Sequence, residues 1–68
     1  MFVKELHRAG HTKRFSIEQQ GGDGWDVRLE QDNRVLKQMR YTDWHRVERA
    51  LNKFAMEIGE LEELGWRG

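Results

Sequence analysis

The chain contains no cysteine among its 68 residues. That excludes a disulfide framework and a thiolate metal site as sources of stability, and it leaves the redox compartment open. A long apolar run is missing too. No stretch approaches the roughly 20 apolar residues of a membrane span, and MFVKELHRAG has no apolar region behind its first lysine, so the expected setting is soluble and cytoplasmic, without a membrane partner. Apolar residues are scarce at 37%, against 35% charged, so the core must use them economically beneath a heavily charged surface. Net charge is zero as well. With Trp25, Trp44 and Trp66 spread along periodic segments, this argues against disorder, which goes with few aromatics and a large net charge.

What is present reads as one domain, residues 1–68, near the lower size limit for a single core. Between Lys13 and Tyr41 the pattern has a period of two. Phe15 and Ile17 alternate with Arg14, Ser16 and Glu18, and Trp25, Val27 and Leu29 alternate with Asp26, Arg28 and Glu30. The GGDG stretch at 21–24 and the Asp32-Asn33 pair tolerate positive φ and read as hairpin turns. Strands are therefore expected at about 13–20, 24–31 and 34–41, with Val35 and Met39 pointing inward from the third. Residues 1–10 read either as a further strand ending at Gly10 or as a loose arm.

From Thr42 the period becomes helical. Thr42 or Asp43 suits an N-cap, and Trp44, Val47, Leu51, Phe54, Ala55, Ile58 and Leu61 form one apolar stripe, giving a helix over about 43–64. Gly65 fits the left-handed residue after the helix, with Trp66 folding back on Leu61 as in a Schellman cap. Gly59 costs about 1 kcal/mol relative to alanine and implies a bend or a close backbone approach. The expected fold class is α+β: a three- or four-stranded antiparallel meander packed on one long C-terminal helix, β-β-β-α in its minimal form.

The helix carries its charges against its dipole. Arg46, Arg49 and Lys53 occupy the first half, and Glu57, Glu60, Glu62 and Glu63 the second. A helix of roughly 33 Å would overhang strands of about 27 Å, leaving Ile58, Leu61, Leu64 and Trp66 without cover. Self-association as an antiparallel homodimer would cover them and place basic half beside acidic half. Met56, off the apolar stripe, completes the expected interface of Met56, Ile58, Leu61, Leu64 and Trp66. The bland alternative is a solvated face, in which only Lys53 and Glu57 attract, by a few tenths of a kcal/mol.

Chemistry is thinly represented. His7 and His11 are four apart, but Gly10 intervenes, the segment does not read as a helix and no carboxylate cluster completes a site, so no metal or other cofactor is expected. Ser16 lies mid-strand without a recognisable base, Thr42 reads as a cap, and GGDG joins strands instead of opening a helix over a phosphate. Enzyme activity is not expected. The reading favoured is a small non-catalytic binding or interaction module, homodimeric and open to another protein partner. The alternative is a single-stranded nucleic-acid binder using the basic segment 34–53, with Arg14, Arg28, Lys37, Arg40 and Tyr41 as candidate contacts. Glu18, Asp26 and Glu30 on the face of Arg14 and Arg28 weigh against it, because counterion release needs clustered positive charge.

Overall fold

The computed structural model describes residues 1–68 as β1 (Phe2–Arg8), β2 (His11–Gln20), β3 (Gly24–Gln31), β4 (Arg34–Tyr41) and α1 (Trp44–Glu63). The strands form one antiparallel sheet in the order β1-β2-β3-β4, with the helix packed on one face. This is an α+β fold built on a four-stranded meander.

Residues 1–10 thus supply a full strand. The turn that makes it possible is Ala9-Gly10, whose φ values of 50° and 80° are the paired positive angles of a two-residue hairpin that follows the natural twist of the strands. Asp32-Asn33 repeats the device at 51° and 68°. Asp32 also ties its turn to the start of β2: its carboxylate accepts from the Thr12 N–H at 2.9 Å and pairs with His11 Nδ1 at 2.7 Å. The Thr12 N–H, followed by the His11 contact, holds the Asp32 carboxyl below its usual 3.8. A depressed carboxyl stabilises the fold above its unfolded pKa and loses that contribution as pH falls through the folded value. The wild type is therefore expected to melt above Asp32→Asn at neutral pH, with the gap closing as pH drops below 3.8, a result that thermal melts across the acid range can check.

One face of the sheet carries the core. Leu6, Phe15, Ile17, Val27 and Leu29 meet Val47, Phe54 and Ile58 of the helix, and the Phe15 and Phe54 rings meet edge to face with centroids 5.0 Å apart. Such a pair contributes about 0.5–1.5 kcal/mol beyond its buried area. The helix starts at Asp43, whose side chain accepts from the His45 N–H at 3.0 Å. Its apolar stripe is narrower than the spacing suggests, because Ala55 is exposed and Trp44 is half out of the core with its ring 5.3 Å from that of Trp25.

At its far end the helix closes with a Schellman cap. Gly65 takes φ 99°, the Gly65 N–H donates to the Glu62 carbonyl at 3.1 Å, and the Trp66 N–H donates to the Leu61 carbonyl at 3.0 Å. The tail then pairs with the outer edge of β1, His7 N–H to Arg67 carbonyl at 2.7 Å and Arg67 N–H to His7 carbonyl at 3.0 Å. This seats Trp66 in the same buried cluster as Leu6, with the Lys13 ammonium 5.5 Å from its ring centroid. The overhang inferred from lengths is therefore absent at Ile58 and Trp66, which are core residues of their own chain. β1 widens the sheet beneath the end of the helix, and the reversal at Gly65 brings Trp66 back onto it.

The fourth strand departs from expectation. Leu29 pairs with Lys37, but Glu30 pairs with Val35, so β4 carries an extra residue at Leu36, a bulge. Val35 consequently sits opposite Glu30 on the outer face, not inward. Met39 does lie opposite Val27 on the inner face, yet it is 48% exposed because the helix does not cover this edge of the sheet.

Candidate binding groove between the fourth strand and the helix

The uncovered edge forms a groove of about 390 Å³ between β4 and α1. Val27, Leu29, Met39, Tyr41, Ala50 and Phe54 make its apolar floor. Lys37 from the strand and Arg46, Arg49 and Lys53 from the helix stand on its rim, with Glu57 as the one carboxylate. The helical residues 46, 49, 50, 53 and 57 share one flank by their three-and-four spacing, which is why a single crossing helix delivers three cations to one side of the sheet. The volume lies within the lower range of ligand pockets.

The nucleic-acid candidates are divided by the sheet. Arg14, Arg28 and Arg40 are on the outer face, where Arg14 reaches Glu5 at 3.5 Å, Arg28 reaches Asp26 at 3.1 Å and Glu30 at 3.5 Å, and Arg40 donates to the Gln20 carbonyl at 3.4 Å. That face is a mosaic of matched charges. Lys37 and Tyr41 alone face the groove, opposite Leu29 and Trp25. Arg46, Arg49 and Lys53, which fall within the basic segment 34–53 but not among its named contacts, join them as rim residues through the shared flank of the helix.

The expected interface residues also separate. Met56 and Leu64 are 68% and 63% exposed, Leu61 is half-buried against the core, and Ile58 and Trp66 are covered. None of Arg46, Arg49, Lys53, Glu57, Glu60, Glu62 or Glu63 forms an ion pair within the chain, and the helix has neither an acid in its first turn nor a base in its last. Gly59 has open space where a Cβ would stand, so nothing within the chain explains its glycine.

The histidines are dispersed. His7 Nδ1 contacts Thr12 Oγ1 at 3.0 Å, His11 is engaged by Asp32, and His45 lies 3.7 Å from Glu48 on the exposed first turn. No group of three or more His, Cys, Asp or Glu side chains is arranged to hold a metal ion, and no helix is long and apolar enough to cross a membrane. Ser16 is buried in the middle of β2 opposite Arg28. No family model, curated protein or solved structure matches this chain.

Proposed function

We propose that the chain is a small non-catalytic binding module that works as a homodimer, joined through the exposed face of α1. The observation that carries this reading is the unpaired, lengthwise division of helix charge. Arg49, Asn52, Met56, Gly59 and Glu63 lie on one flank of α1 outside the core at alternating three-and-four spacing, a mainly polar row with Met56 as its one large apolar side chain. In an antiparallel pair with its two-fold axis at Met56, Arg49 lies beside Glu63 of the partner subunit and Lys53 beside Glu60 of the partner subunit, each contact occurring twice. Met56 meets its own copy at the axis, and Gly59 next to it allows the two backbones to approach. The charges that oppose the dipole of each helix then also face the oppositely charged half of its neighbour.

Light scattering across a dilution series at low and high salt tests this reading. A dimer that loosens with salt is expected, and the same measurement on Gly59→Ala should show weaker assembly even though alanine favours the isolated helix by about 1 kcal/mol. A monomer at every concentration and salt would sink the proposal.

A further inference from the structure

We infer that the groove between β4 and α1 takes an extended, acidic peptide segment of another protein, which adds to the free edge of β4 as a fifth strand. This inference rests on the binding-module reading; the dimer seam shares Arg49 and Lys53 with the groove, whereas Lys37 and Arg46 lie outside the seam and are the cations on which the test turns.

Three observations converge on it. The first is the edge. β1 and β4 are the outer strands of the sheet; the tail pairs with β1 at His7, whereas β4 has no backbone partner anywhere along its outer side. Its bulge involves only the beginning of the strand; Lys37 to Tyr41 keep regular register with β3 and offer a straight row of unpaired backbone groups. The second is cover. The helix shields β2 and β3, and Trp66 belongs to the cluster around Leu6 of β1, while every residue of β4 except Tyr41 is exposed. A strand beside β4 would send alternate side chains onto Met39 and the apolar floor, the use of pockets that gives strand addition its specificity.

The third is charge, and it decides the occupant. β4 reads RVLKQMRY, without a carboxylate, and the opposing helix flank adds Arg46, along with the Arg49 and Lys53 that the dimer seam shares, against Glu57. A second copy of β4 would therefore bring cations against cations, and the acidic half of a second copy's α1 is helical and cannot make strand hydrogen bonds. An acidic extended segment satisfies both the edge and the rim. Nucleic acid would match the charge but not the surface. The floor is mainly aliphatic, and Trp44, the most exposed large aromatic, is set against Trp25 outside the groove lining.

The test is a titration of the isotope-labelled full chain, followed by amide NMR, with a soluble probe peptide of about ten residues alternating glutamate and valine. Saturable binding is expected, with shifts and slowed amide exchange concentrated at Lys37 to Tyr41. Affinity should fall roughly tenfold or more for Lys37→Glu combined with Arg46→Glu, and should fall likewise for the peptide with lysine in place of glutamate. Methylating alternate backbone nitrogens of the peptide should abolish binding in one of the two registers, because one set of amides faces β4. Equal binding by both methylated peptides would overturn strand addition. So would no binding at roughly millimolar peptide. Tighter binding of an oligothymidylate at the same residues would replace the peptide with nucleic acid, and loss of dimer mass in the Lys37→Glu, Arg46→Glu chain would assign the groove to self-association instead. A failed dimer reading, by contrast, would appear in the mass alone and leave the titration intact.

Discussion

Trp66→Ala is expected to lower stability by about 3–5 kcal/mol, as truncation of a buried aromatic does, and so to lower the melting temperature sharply. The whole domain, at this length, has roughly 3–10 kcal/mol to lose. The indole is 9% exposed, closes the core beside Leu6, and is placed there by the Gly65 cap and the Arg67 pairing with His7. Its removal opens a cavity at the end of the sheet and takes away the ring beneath the Lys13 ammonium. Circular-dichroism melts at low protein concentration check this directly. An interface anchor would behave differently: the alanine chain would keep its fold and melting temperature, and only its mass would change. That second outcome would contradict the placement of Trp66 in the core.

The other large effect is expected from exchanging charges along the helix. Arg49→Glu with Lys53→Glu makes α1 acidic from its middle to its end, and Glu60→Lys with Glu63→Lys makes its seam basic throughout. Each variant alone should then self-associate at least roughly tenfold more weakly, since like charges meet at four places in the seam. Mixed together, they should form a heterodimer as firm as the wild type, because the acidic first half of one chain meets the basic second half of the other and the remaining halves match as before. Sedimentation of the separate and mixed chains distinguishes this from general surface repulsion, which mixing would relieve without restoring a discrete dimer of wild-type affinity. If neither variant alters the mass, the charge division has no part in assembly. All four positions are solvent-facing, so the substitutions leave the core and the groove floor in place.

Local periodicity was enough to determine much of this protein. The alternation in 13–20 and 24–31, the turn residues at 21–24 and 32–33, and the stripe through Val47, Phe54 and Ile58 each encode an element whose burial follows from its own spacing. The Schellman cap at Gly65 was equally legible, because it depends on residues a few positions apart. Tertiary structure decided the rest. Whether Trp66 faces a partner or its own core depends on β1 lying beside β2, which brings His7 to the tail from the other end of the chain. Val35 faces outward because of one extra residue at Leu36, a register detail that a period-two pattern does not carry. The grouping of Lys37 with Arg46, Arg49 and Lys53 follows from the path of the helix across the sheet, since residues far enough apart to lie on different elements become neighbours only when those elements pack.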